Sequence, residues 1–231
     1  NILPQHKVVK IEEDVSPECA AIAFIASFPM AAIRKTRLEM GESAMVMGLG
    51  LLGMFAVQFC RLSGAYPVIA ADLNPARREL ALQLGADYAF DPSAPDFVEQ
   101  VKQVTGGKGV RATVEVTGVS AAMQQALACA SYMGRIALLG CTRNSNFTID
   151  YYRKVHGPGI TLVGAHTNAR PHTDSAPGYW TQRDDFACAL ALVAGGRLQL
   201  KDLIEETHSP EEAPAVYSRL ATEASFPVVQ F

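Results

Sequence analysis

Apolar and polar positions along this chain follow two alternating rhythms. Short, largely apolar runs at 44–47, 67–71, 88–90, 112–116, 135–139 and 160–164 have the length of buried strands. Between them lie stretches of helical period: 51–63, with Leu52, Ala56, Phe59 and Leu62 on one side, then 75–84, 97–105 and 120–130. The punctuation agrees. Asn74 and Pro75 suit the N-cap and first turn of a helix that closes at Gly85, and Gly106-Gly107-Lys108-Gly109 stops the next one. Strand and helix alternating from 44 to 164 predict an α/β fold, a doubly wound parallel sheet with helices on both faces.

The flanks read differently. Residues 5–11 predict a short strand, and Ser16-Pro17-Glu18 starts a buried helix rich in Ala, Ile and Phe. The apolar run from Cys19 to Ile33 is shorter than the ~18 residues of a membrane span and is interrupted by Pro29. Arg34, Lys35 and Arg37 read as a solvated helix end. After His166 the chain turns polar and rich in turn formers through 183. A helix over 184–195 follows, then a capping box at Ser209-Pro210-Glu211-Glu212 and a terminal strand over 226–231.

One stretch carries chemistry. The first central strand runs into Gly48-Leu49-Gly50-Leu51-Leu52-Gly53, and the second ends on Asp72, 24 residues after Gly48. A Gly-x-Gly-x-x-Gly turn between strand and helix, followed by an acid at that distance, is the fingerprint of a dinucleotide site. Gly48 permits the tight turn, Gly50 lets a pyrophosphate approach the backbone, and Gly53 allows close packing of the helix. The helix start offers free N–H groups to phosphate. Asp72 accepts hydrogen bonds from the hydroxyls of an adenine ribose, and its charge opposes a 2′-phosphate, so the cofactor is read as NAD rather than NADP.

Composition narrows the partners. Of 231 residues 49% are hydrophobic, enough for a substantial core, and the net charge of −3 gives no sign of a nucleic-acid or membrane partner. Five cysteines at 19, 60, 129, 141 and 188 include no Cys-x-x-Cys pair, so they read as reduced thiols of a cytoplasmic protein. No signal peptide is visible, and the start at Asn1 suggests a piece of something longer.

The order of motifs resembles the medium-chain dehydrogenase/reductase superfamily, in its zinc-type alcohol and polyol dehydrogenase branch. After the glycine loop come Ala-Asp-Leu-Asn-Pro-Ala-Arg at 71–77, Leu-Gly-Ala-Asp at 84–87 and Val-Glu-Val-Thr-Gly at 114–118. Gly-Arg-Ile-Ala-Leu-Leu-Gly at 134–140 and Leu-Val-Gly-Ala at 162–165 complete the series. The resemblance implies a Rossmann NAD-binding domain over 24–166. Residues 1–23 would be a remnant of a GroES-like catalytic domain, and 167–231 a segment returning to it. It implies that Gly48, Leu49, Gly50, Leu51, Leu52 and Gly53 hold the pyrophosphate, with Asp72, Leu73 and Arg77 at the adenine ribose. Thr117 and Gly118 would border the cofactor, Leu139, Gly140 and Cys141 would follow its nicotinamide half, and Ala165 and His166 would lie near the carboxamide. Ser27 matches a position that often bears a hydroxyl against the nicotinamide.

The resemblance implies hydride transfer between an alcohol carbon of a small-molecule substrate and the nicotinamide. It also implies pairing of copies through sheet edges near 134–164. Zinc stays open for a longer parent but is not supported here, because the window where relatives place a Cys or Glu ligand holds Ile22, Ala23 and Phe24. Catalytic residues are not assigned: His156 reads as a loop residue, and Glu115 faces either the cleft or a neighbouring strand end. Three alternatives remain: a zinc-independent quinone- or enoyl-reductase-like enzyme, a non-catalytic NAD module, and a methyltransferase with a similar glycine loop.

Overall fold

A computed structural model describes residues 2, 4, 8–140, 142, 147–222 and 227–230. Its frame is a six-stranded sheet of β1 (Ala44–Met47), β2 (Val68–Ala71), β3 (Tyr88–Phe90), β4 (Val110–Glu115), β5 (Ala130–Leu138) and β6 (Thr161–Gly164). The strand order is β3-β2-β1-β4-β5-β6, and every pairing is parallel. This is the Rossmann arrangement expected from the alternating pattern.

The side-chain period of a strand explains the two layers of helices. Val46, Val68, Ala70, Val114 and Ala137 point to one core, shared with α1 (Pro17–Thr36), α2 (Leu51–Leu62), α3 (Pro75–Gln83) and α6 (Gln182–Ala194). Met45, Met47, Ile69, Ala71 and Ile136 point the other way, onto Phe97 and Val101 of α4 (Phe97–Val104) and Met123, Ala126 and Leu127 of α5 (Ser120–Cys129). Both faces are covered, so β1 and β2 are apolar throughout and the other strands largely so. Full burial of each Val or Ile in them stabilises the fold by about 1.5–3 kcal/mol relative to exposure.

Several boundaries follow their sequence signals. Ser16 Oγ accepts from Cys19 N at 3.3 Å to cap α1, and Asn74 Oδ1 accepts from Ala76 N at 2.9 Å to cap α3. Ser209 and Glu212 form the reciprocal capping box ahead of α7 (Ala213–Leu220). The chain ends in a small parallel pair, β7 (Glu206–Thr207) with β8 (Val229–Gln230).

Three expectations are corrected. Residues 8–11 form no strand, because the sheet offers them no partner (5–7 lie outside the described residues). Pro29 does not break its helix: α1 runs through it for 20 residues, held between α2 and α6. It is therefore long and apolar enough to cross a membrane, and most of it is buried within the fold. His156 is not in a loop but closes a wide helical turn in which Gly157 N donates to Tyr152 O at 2.8 Å, and its ring stacks on Tyr152.

Candidate functional site

Five strands end in one row. The register pairs Met47 with Ala71 and with Glu115, Glu115 with Leu138, and Leu138 with Gly164. All run the same way, so the loops after them open on a single edge. Those loops begin at Gly48, Asp72, Val116, Leu139 and Ala165, and they hold the residues singled out from sequence. The connection from β1 leads toward β2, while β4 lies on its other side. The crevice at such a reversal is where open α/β sheets bind ligands.

The glycine loop forms the near wall. Gly48 has φ of 93°, and a Cβ on it would sit 2.7 Å from Thr117 Cγ2. A Cβ on Gly53 would lie 1.9 Å from Gly48 O, so α2 can begin this close to β1 only without a side chain there. Gly50 differs: nothing lies within 4 Å of its Cβ position. Its missing side chain relieves no internal crowding and leaves the backbone open to an approaching group. Gly50 also stands at the N-cap of α2 with no side-chain cap, so among the described residues no side chain takes the first N–H groups of the helix. That combination suits a phosphate.

Asp72 does more than face the crevice. Its Oδ2 accepts from Leu49 N at 2.6 Å and its Oδ1 from Asn74 N at 2.8 Å. One carboxylate thus ties the loop after β1 to the loop after β2. Each oxygen retains a lone pair for a further donor. Leu73 beside it is exposed. Arg77, half-buried, lines a cavity of about 220 Å³ with Gly50, Leu51, Asn74, Asp202 and Glu205.

The far wall has a matching brace. Glu115 is 3% exposed, and its Oε1 accepts from Thr117 N at 2.8 Å, from Thr117 Oγ1 and from Gly118 N at 3.1 Å. It serves its own following loop, not a neighbouring strand end. Gly140 approaches this turn so closely that a Cβ would fall 2.1 Å from Gly118 N. Leu139 and Ala165 are buried in the core, while His166 is exposed and accepts from Asn168 N through Nδ1 at 3.1 Å. Cys141 lies outside the described residues. Ser27 is fully buried in α1, and its Oγ finds no hydrogen-bond partner.

The reading of the basic run as a solvated helix end holds for the exposed Arg37 and needs correction for Arg34 and Lys35. Arg34 Nε bonds Asp185 Oδ1 at 2.8 Å, and its guanidinium lies 3.6 Å from the centre of the Trp180 ring. Lys35 is buried and donates to the carbonyls of Gly164, at 3.0 Å, and Ala169. Burial, then the nearby Arg170, pushes the Lys35 ammonium below its ordinary range. Sequence reasoning missed Lys35, Arg170 and Asp185 as a group. The available signal was that α1 is apolar on all sides, so charges within it must be paired.

Among the described residues no group of three or more His, Cys, Asp or Glu side chains is placed to hold a metal. Ile22, Ala23 and Phe24 supply no donor to one, so these residues do not fit a zinc site.

Fold and crevice together define a dinucleotide-binding Rossmann domain. Residues 52–194, more than half the chain, match the zinc-binding dehydrogenase family, and the chain belongs to it. It is 32% identical over 163 residues to L-threonine 3-dehydrogenase of Pyrococcus horikoshii, covering 71% of this chain and 46% of that protein. D-guloside 3-dehydrogenase of Escherichia coli is 27% identical, over 94% of this chain and 61% of its own length. A zinc-binding dehydrogenase from Sinorhizobium meliloti, solved bound to NADP, superposes with a TM-score of 0.81 at 23% identity, covering 98% of this chain and 62% of that one. The chain thus spans between about half and three fifths of these relatives.

Proposed function

We propose that this chain is the cofactor half of an NAD-dependent oxidoreductase of the alcohol and polyol dehydrogenase type. It passes a hydride between an alcohol carbon and C4 of the nicotinamide. The observation that carries this reading is Asp72, whose two oxygens brace the glycine loop at the switch point while keeping lone pairs free for ribose hydroxyls. The cofactor supplies the redox chemistry when bound. The chain's own groups orient it. The open backbone at Gly50 and the start of α2 receive the pyrophosphate, Asp72 and Arg77 the ribose, and the turn at Thr117–Gly118 closes the opposite side. Leu139, Gly140 and Ala165 follow toward the nicotinamide. No proton step is assigned to a residue, and none is routed through a metal.

On this reading residues 1–23 and 167–231 adjoin the catalytic domain, with α6 lying against the core of the sheet, and copies pair through the edge of β6. The reduced cysteines suit the cytoplasm: burial pushes the thiols of Cys60 and Cys129 up to about 12, where they are unreactive. A second reading, a zinc-independent quinone- or enoyl-reductase-like enzyme, is favoured by the apolar side chains at 22–24, which cannot bind a metal. Titration of the chain with NADH and NADPH tests the first claim. NADH is expected to bind at least about tenfold more tightly, the worth of one charged contact. Equal binding refutes the selectivity assigned to Asp72. Oxidation of polyols by the parent protein, before and after chelation, separates the two enzyme readings.

A further inference from the structure

Lys35 is an expensive residue for its place in α1. It is 9% exposed, burial works against its charge more than the neighbouring Arg170 does, and among the described residues its ammonium makes no ion pair. A methionine would fill the same space without that penalty. The ammonium goes instead to two carbonyls, those of Gly164 at 3.0 Å and of Ala169.

These carbonyls bracket one loop. β6 is an edge of the sheet, and Ala165 N donates inward to Leu138 O at 3.1 Å. Backbone groups of successive strand residues face opposite sides, so Gly164 O turns away from the sheet and no strand serves it. Ala169 closes the far end: its N donates to His166 O at 2.9 Å, and Asn168 N donates to His166 Nδ1 at 3.1 Å. One ammonium on α1 therefore fastens both ends of the 164–169 turn. The next residue ties back to the same helix, since Arg170 Nη2 donates to Ser27 O at 3.3 Å. Ser27 lies about 12 Å from Lys35 along α1, so the loop is moored at two separated points and cannot pivot about either. Between the moorings lie Ala165 and His166, at the edge where the strand-end loops open.

We propose that Lys35 is a positioning residue for the nicotinamide end of the cofactor, holding the 164–169 loop so that Ala165 and His166 meet the carboxamide. The proposal rests on the cofactor reading above and adds to it a side chain that touches no ligand. Bonds from a charged donor are shorter and stronger than neutral ones, and a loop ordered beforehand lowers the ordering cost of binding.

The 231-residue chain is titrated calorimetrically with NADH and with ADP-ribose, which keeps the adenine half and lacks the nicotinamide. NADH is expected to bind more tightly. Lys35→Met should weaken NADH about five- to tenfold and leave ADP-ribose within about twofold. Lys35→Gln keeps an NH2 donor on a shorter arm and should show only part of that loss; it decides the matter if circular dichroism shows that the first variant does not fold. Amide exchange on the unsubstituted chain needs no variant: NADH should slow exchange at His166, Asn168 and Ala169, and ADP-ribose should not. Equal losses for both ligands would make Lys35 a prop of the whole fold and overturn the proposal. So would an NADH affinity that neither variant changes, or exchange that NADH leaves alone. If NADH binds no more tightly than ADP-ribose, the nicotinamide has no seat on this chain, and the proposal falls while the glycine-loop site stands. If neither ligand binds, the cofactor reading itself fails and takes the proposal with it.

Discussion

Asp72→Asn is the sharpest test of the crevice, because both carboxylate oxygens accept from backbone N–H groups, Leu49 at 2.6 Å and Asn74 at 2.8 Å. An asparagine amide offers one oxygen and one NH2. Whichever way it is turned, one N–H bond is kept without its charge, and the other N–H meets a second donor. Hydrogen bonds to charged groups contribute about 1.5–3 kcal/mol each, and an opposed buried donor adds its own desolvation cost. The substitution should therefore destabilise the chain by about 2–4 kcal/mol, with one bond lost outright and the other weakened. At this chain length each kcal/mol lowers Tm by about 2–4 °C, which puts the total near 4–16 °C. Thermal unfolding followed by far-UV circular dichroism gives the value, and an NADH titration on the same sample gives the effect on binding. A ribose ligand with no part in holding the loop would lose NADH affinity and keep its Tm. That result would refute the idea that Asp72 links the two loops.

Gly53→Ala should cost at least about 3 kcal/mol or prevent folding, because the new methyl would stand 1.9 Å from Gly48 O, a backbone atom with little room to move; urea denaturation measures it. Gly50→Ala, with nothing within 4 Å of the added Cβ, should leave urea stability within about 1 kcal/mol and yet weaken NADH binding. Asp185→Asn removes the carboxylate that Arg34 and Arg170 share, and loss of about 3 kcal/mol in the same assay is expected; a loss below about 1 kcal/mol would mean that the cations find other partners. The β7–β8 pair should respond to pH. Hydrogen bonds from Arg219 and His208 hold the Glu206 carboxyl at about 2, and chiefly Glu206 raises His208 above 6.5. The Glu206 contribution is complete above its ordinary 4.5 and fades as pH falls toward 2, whereas that of His208 is complete below 6.5 and fades as pH rises through its raised value. Amide exchange at Gln230, corrected for intrinsic rates, should therefore show more protection at about pH 6 than at about pH 8, and Glu206→Gln should erase the difference.

Much of this arrangement is legible in the sequence because its signals are local. A strand end, a glycine spacing and a capping Asn each act within a few residues, and parallel pairing then brings the strand ends into register without further information. What the sequence hides is long-range pairing. Arg34 and Asp185 stand 151 residues apart, and nothing near either names the other. A basic triplet at a helix end ordinarily faces water. Here Arg34 bonds Asp185 of α6 and Lys35 bonds the carbonyl of Gly164, so these two are drawn inward while Arg37 faces water as expected. Pro29 misled in the same way, since packing on both sides of α1 outweighs the one backbone bond that proline removes.

The two acids at the switch point brace the crevice from both sides. Asp72, at the end of β2, takes N–H groups from the loops on its side, and Glu115, at the end of β4, takes those of Thr117 and Gly118 on the other. Each turn leaves backbone donors that the strand ladder does not use, and in each a strand-end carboxylate collects them. Between the braces, Gly48 against Thr117 and Gly140 against Gly118 bring the loops to contact distances that any side chain would prevent. Rigid walls lower the ordering cost of binding, so affinity for the dinucleotide depends on the braces as well as on direct contacts. Glu115→Gln tests this, because Glu115 is buried beneath the Thr117–Gly118 turn with its carboxylate already taken by that turn. The variant should weaken NADH binding severalfold while Asp72 stays intact, with the loss growing on warming as the turn loosens. Calorimetric titration across a range of temperatures reads both effects, and an unchanged affinity would show that the far wall holds its shape without the acid.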